Sequence, residues 1–277
     1  MRQMVSPAVR FWRPAADDFV HKGGRLSGWS GAVGASPPSP ADGSTNKKLL
    51  HIVRHAQGVH NVDPEVMRSP AGIDAQLTDE GRRQCAALAQ AVADNIHPEV
   101  IVSSPLSRTL ETSLLSFGTQ LRAGTPMVAL EAVRETVNFC CDARRPLSTN
   151  VAAIERGGTL RIDVTAGCVD DHDELWARYE RELGTQDQYT GHRESADLPA
   201  LAARAREAFA WLGARPEREL IVVTHSAFLW NTFNMARLGR KQGVGALVDY
   251  GGDRELEGWL AAKFENAEMR SVVCEFL

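Results

Sequence analysis

The feature that most constrains the fold of this 277-residue chain is a repeated alternation of short apolar runs with longer segments of helical character. Leu49-Leu50-His51-Ile52-Val53 is the first run, and Val100-Ile101-Val102-Ser103, residues 126–130 and Leu220-Ile221-Val222-Val223-Thr224 follow it. Runs this short, apolar rather than alternating, read as strands buried on both faces. Between them, Thr78-Asp79-Glu80 opens a helix reaching about Asn95, with a capping hydroxyl and two acids in the first turn. Further helices are expected from Leu106 to about Phe117, around Glu174–Leu183, from Leu198 to about Leu212 and from Ala227, with a closing strand at Ser271–Phe276. Strands alternating with helices predict an α/β fold with a mostly parallel central sheet.

Residues 1–47 differ in kind. They carry Gly23-Gly24 and Ser36-Pro37-Pro38-Ser39-Pro40 and lack apolar periodicity. They read as a weakly ordered leader preceding one domain over 48–277. The surrounding compartment is expected to be the cytoplasm, with an organelle as the minor alternative if the Arg-bearing leader is a transit peptide. The five cysteines match no zinc spacing and read as reduced thiols. A net charge of -4 gives no sign of a polyanion partner, so nucleic acid is not expected, and no apolar stretch is long enough to span a membrane.

In an open α/β sheet, ligands bind beyond the carboxyl ends of the strands. Arg54 and His55 follow the first strand, Ser103, Ser104 and Arg108 the second, and Thr224 and His225 the fourth. Two histidines and two arginines are thereby expected on one end of the sheet. Guanidinium forks match phosphate oxygens, and a neutral imidazole can attack phosphorus and hold it covalently. A leaving oxygen also needs a proton, which calls for a carboxyl of raised pKa.

Five segments in order carry a resemblance to a known family: Arg54-His55-Ala56-Gln57-Gly58-Val59-His60-Asn61, Leu77-Thr78-Asp79-Glu80-Gly81 with Gln84, Ser104-Pro105-Leu106-Ser107-Arg108-Thr109-Leu110-Glu111-Thr112, Val133-Arg134-Glu135, and Val222-Val223-Thr224-His225-Ser226. Together they resemble the histidine phosphatase superfamily, the phosphoglycerate-mutase-like proteins. Cys141-Asp142-Ala143-Arg144-Arg145 and Asn266-Ala267-Glu268-Met269-Arg270-Ser271 look like its plant and fungal broad-specificity branch. The resemblance covers about residue 48 to the end and implies a three-layer α/β/α sandwich and a metal-independent phosphatase acting through phosphohistidine.

Carried over residue by residue, it makes His55 the nucleophile, Glu135 the general acid and then base, His225 the second catalytic histidine that also binds the phosphoryl oxygens, and Arg54, Asn61 and Arg108 the phosphate-binding residues. Arg144 and Arg145 are expected, from their charge and their closeness in sequence to Glu135, to hold a second anionic group. Glu111 is the rival acid, set aside because it falls on the helix opening near Leu106. No cofactor or metal is implied, and His60 is not expected to ligate one. Trp176 and Trp259 read as packing residues. The partner is a small phosphomonoester. The alternatives are a mutase-type phosphotransfer and a catalytically decayed binding protein. The latter is motivated by Ala56 in place of the family's glycine and Gly58 in place of its small polar serine. Ser226 stands where glycine is common.

Overall fold

The computed structural model describes residues 6–12, 20–22, 25–26, 47–155, 162–167 and 170–277. Its strands are β1 (Val9–Trp12), β2 (Val20–Lys22), β3 (Arg25–Leu26), β4 (Lys47–Arg54), β5 (Val100–Ser103), β6 (Met127–Ala129), β7 (Ile162–Asp163), β8 (Glu219–Thr224), β9 (Val248–Asp249) and β10 (Met269–Phe276). They form one sheet in the order β3-β2-β10-β4-β8-β5-β6-β7, with β1 pairing β10 and β9. The run from β4 to β7 is parallel throughout, and β10 lies antiparallel on β4. The expected α/β/α sandwich is the observed architecture.

The layers follow from the pleat, because successive side chains of a strand point to opposite faces. Leu50, Ile52, Val100, Val102, Leu220 and Val222 face one core, packed against helices Leu198–Ala214, Ser226–Phe233 and Arg254–Ala261. Val53, Ile101, Ile221 and Val223 face the other, against helices Asp79–Val92 and Ser107–Ser116. Strands covered on both sides have no polar face to display, which is why their sequences are apolar without alternation. Among the described residues no helix is long and apolar enough to cross a membrane.

The N-terminal expectation needs a correction at three strands: β2 and β3 extend the sheet edge beyond β10, and β1 packs into the core. β1 lies inside the segment read as a leader, yet Val9 and Phe11 are fully buried and the strand pairs with β10 from Val9↔Phe276 to Trp12↔Val273. Two apolar side chains at alternate positions are too short a signal to register as periodicity. Residues 1–5, 13–19, 23–24 and 27–46, with the Gly23-Gly24 pair and the Ser/Pro run over 36–40, lie outside the described residues, as does Cys168. Cys85, Cys140, Cys141 and Cys274 are free and buried thiols.

One polar cluster is enclosed within the sheet. His51 bonds Ser271 Oγ through Nδ1 at 2.7 Å and Glu219 Oε1 through Nε2 at 3.2 Å, and Glu219 also accepts from the His97 amide at 2.6 Å. Burial alone would raise the Glu219 pKa, but the hydrogen bond and charge of His51 and the His97 amide hold it below its ordinary value. A depressed folded-state pKa stabilises above the unfolded value, and that stability is lost as pH falls through the folded one. Glu219→Gln is therefore expected to cost about 1–3 kcal/mol at neutral pH, the scale of disrupting a buried polar partner. The difference from wild type should shrink in acid. Urea unfolding at pH 7 and below pH 4 reads this out, and an equal gap at both would overturn the assignment.

Candidate active site

The register of two strands brings the histidines together. β4 and β8 are parallel neighbours with Arg54 opposite Thr224, so the residues that follow, His55 and His225, leave the sheet side by side. Their rings lie 5.0 Å apart between centroids. The His55 amide donates to the Thr224 carbonyl at 2.9 Å, which closes the crevice behind them.

Hydrogen-bond partners determine both tautomers. His55 Nδ1 lies 2.7 Å from the Ala56 carbonyl, which can only accept, so Nδ1 carries the proton and the Nε2 lone pair is free. Arg108 Nε donates to His225 Nδ1 at 3.3 Å, so His225 carries its proton on Nε2 and donates to Ser104 Oγ at 2.8 Å. Burial, followed by the Arg108 charge, pushes the pKa of each imidazole well below its ordinary value. Both are neutral at neutral pH.

The loop behind His55 is clamped from three sides. The Ala56 amide donates to Thr112 Oγ1 at 3.0 Å, and that hydroxyl donates on to the Arg108 carbonyl at 2.6 Å. The Gln57 amide donates to Gln84 Oε1 at 2.9 Å, and the Gln57 carbonyl accepts from the Thr78 amide. A Cβ on Gly81 would stand 2.2 Å from the Gln57 carbonyl oxygen, so only glycine lets the helix Asp79–Val92 approach the loop this closely. The Leu77–Gln84 segment is therefore a brace for the histidine loop. Ala56 has no positive φ and is buried against Leu77, Cys85 and Ala267, so its methyl group is accommodated without backbone strain.

Glu135 arrives from the loop after β6. The Thr224 hydroxyl donates to the Val133 carbonyl at 2.6 Å, and Arg204 donates to the carbonyls of Ala132 and Arg134, so both hold that loop over the end of β8. The carboxylate then accepts from the amides of Thr136 and Phe228 at 2.8 Å each, and from Ala227 at 3.3 Å. Burial, and then the charge of Asp142, still raises its pKa above the ordinary range. Glu111 points elsewhere: its oxygens take Arg82 Nε and the Leu77 amide.

Arg108 is fully buried, its other nitrogens on the Cys141 carbonyl at 2.7 Å and on Asp142 at 3.5 Å. Arg54 donates to the Phe264 carbonyl at 2.7 Å. Asn61 accepts from the Gly58 amide at 2.9 Å and from Asn266 Nδ2 at 3.3 Å, and Asn266 also holds the His55 carbonyl.

The expectation for Arg144 is corrected. Its guanidinium donates to Glu131 and to the carbonyls of Asp170, Asp171 and His172, and so fastens a loop instead of facing the histidines. Arg145 is exposed, its amide on Asp74 Oδ2. Arg134 is likewise internal, bonded to Glu131, Asp173 and the Asp142 carbonyl. The residues that sequence reading left without a role are Thr112, Asp142 and Asn266. All three stand in the matched segments, and only their contacts reveal what they hold.

A family model of the histidine phosphatase superfamily (branch 1) matches residues 50–142. Phosphoglycerate mutase-like protein 1 of Arabidopsis thaliana is 30% identical over 220 residues, covering 68% of this chain and 71% of its own. A second Arabidopsis thaliana protein, a phosphoglycerate mutase-like protein, is 30% identical over 261 residues, covering 82% and 84%. The chain belongs to the histidine phosphatase superfamily. Membership supports phosphoryl chemistry of the phosphatase or mutase type. Among solved structures, Mycobacterial hydrolase 1 aligns at a TM-score of 0.45 with 18% identity, covering 82% of this chain and 92% of its own. The phosphoglycerate mutase of Bacillus anthracis str. Sterne aligns at 0.43 with 19% identity, covering 82% and 88%.

Proposed function

We propose that this superfamily member hydrolyses small phosphomonoesters through a phosphohistidine on His55. The observation that carries the reading is the His55 tautomer: the Ala56 carbonyl takes the Nδ1 proton and leaves a neutral Nε2 lone pair in a crevice with Arg54, Arg108, His225 and Glu135. Nε2 attacks phosphorus, the ester P–O bond breaks, and Glu135, whose carboxyl pKa burial raises, gives its proton to the departing oxygen. Arg54, Arg108 and the neighbouring His225 answer the charge on the non-bridging oxygens, in a site where fixed donors count for more than in water. Asn61 is assigned to the phosphate side of the pocket. In the second half, the Glu135 carboxylate takes a proton from water, whose oxygen attacks phosphorus as the P–N bond breaks.

The relatives' names favour one second reading, a mutase that returns the phosphoryl group to an acceptor hydroxyl before water reaches it. The test is turnover of an aryl phosphate with and without chelator, beside a labelled-phosphate trap and a glycerate phosphate as competitor substrate. Chelator-resistant hydrolysis with an acid-labile label on His55 is expected. A stable label discharged only by a phosphoglycerate would instead establish the mutase, and no label under either condition would leave a binding protein.

A further inference from the structure

His55 has a second ring neighbour. The His60 imidazole lies 5.4 Å from it between centroids, partly buried. Asn61 is oriented by its own partners: its oxygen takes the Gly58 amide and Asn266 Nδ2, so its Nδ2 is the atom that faces His60 Nε2 at 3.0 Å. A side-chain amide nitrogen only donates, so His60 Nε2 accepts and the ring proton sits on Nδ1. That Nδ1 is buried and has no hydrogen-bond partner. Burial, then the charges of Arg108 and Arg54, hold His60 neutral, its pKa pushed down to about 2. A buried N–H donor with no acceptor costs free energy unless a ligand supplies one.

Gly58 explains how the ring comes to be there. A Cβ at position 58 would stand 2.7 Å from His60 Cε1 and 2.8 Å from Nδ1, so any side chain would displace the ring. Its φ of -97° is open to every residue, so glycine is required here for space and not for backbone conformation. The His60 ring edge thus fills the volume a small polar side chain at 58 would occupy.

Resting on the phosphoryl-pocket reading above, we propose that His60 is a further phosphoryl-binding residue, presenting Nδ1–H to a non-bridging oxygen of the group held beside His55. Gly58 and His60 act as a pair, the histidine N–H standing in for the hydroxyl that Gly58 gives up.

The test uses the full chain and inorganic phosphate as probe, with affinity read by calorimetry and kcat/KM read on an aryl phosphate. Folding of each variant is checked by its melting temperature. His60→Ala should weaken phosphate affinity and kcat/KM together by about ten- to hundredfold, the range for one hydrogen bond to a charged group. Gly58→Ser alone should also weaken both, because it displaces the ring. Combined, Gly58→Ser with His60→Ala should bind phosphate more tightly than His60→Ala does, since the hydroxyl then has room. That reversal of sign at one position is not expected of a merely structural histidine. Wild-type affinity in His60→Ala, or a double variant no tighter than His60→Ala, overturns the proposal. Phosphate binding without turnover in the wild type overturns the hydrolase reading while the variant comparison still decides His60. A wild type that binds no phosphate overturns both.

Discussion

Replacing His55 by alanine is expected to lower phosphatase turnover by roughly 10⁴-fold or more, the scale on which removing a covalent nucleophile acts. The loss should fall on kcat. Arg54, Arg108 and His225 hold their positions through bonds to Phe264, Cys141, Asp142 and Ser104, none of which involves the His55 ring. The anion site therefore survives the substitution. Phosphate affinity should change by much less than turnover, and the labelled-phosphate trap should be empty. The fold should persist too, since the His55 amide, which ties β4 to β8, is untouched. Measuring kcat and inorganic phosphate inhibition on the two proteins side by side checks both halves. Turnover within about tenfold of wild type, a barrier change of only about 1.4 kcal/mol, would mean that another atom attacks phosphorus.

How much of this was legible before the structure depends on which atoms carry the information. The crevice was legible because it is a backbone property: buried parallel strands end where their apolar runs end, and the residues just beyond them share one end of the sheet. The Arg54–Thr224 register makes that concrete for the two histidines. The direction of a long side chain is not legible in this way. Arg144 lies nine positions from Glu135 in a basic pair, yet its guanidinium turns inward to the carbonyls of a loop some 26 to 28 residues further along, a contact that no local pattern announces. Gly58 looked like a lost hydroxyl in the sequence. Its meaning depends on the His60 ring two residues on, which only the folded loop brings against it. β1 escaped notice because a strand of four residues offers two inward positions, Val9 and Phe11, and two points define no period.

Glu135→Gln isolates the proton transfers from the phosphorus chemistry. The amide is nearly isosteric, but it cannot protonate a leaving oxygen or deprotonate water, and general acid–base catalysis contributes about 10²–10⁴-fold. The loss should depend on the ester. An alkyl phosphate, whose alkoxide leaves poorly, should lose the full amount. An activated aryl phosphate should lose little in the first step and instead accumulate phosphohistidine, because the second step still needs a base. The pH profile supplies an independent reading. Burial and the Asp142 charge raise the Glu135 pKa, so the protonated acid persists above the ordinary carboxyl range, and activity that needs it is lost as pH rises through that raised value. Wild type should therefore show a falling alkaline limb in kcat/KM for the alkyl ester, and Glu135→Gln should lack it. Asp142→Asn removes the second cause of the raised pKa and should shift the limb to lower pH without abolishing it. Because Asp142 also pairs with Arg108, the same variant should raise KM, which separates its two contributions in one titration. An alkaline limb unchanged in Glu135→Gln would assign the leaving-group proton to a different residue, while leaving the His55 chemistry intact.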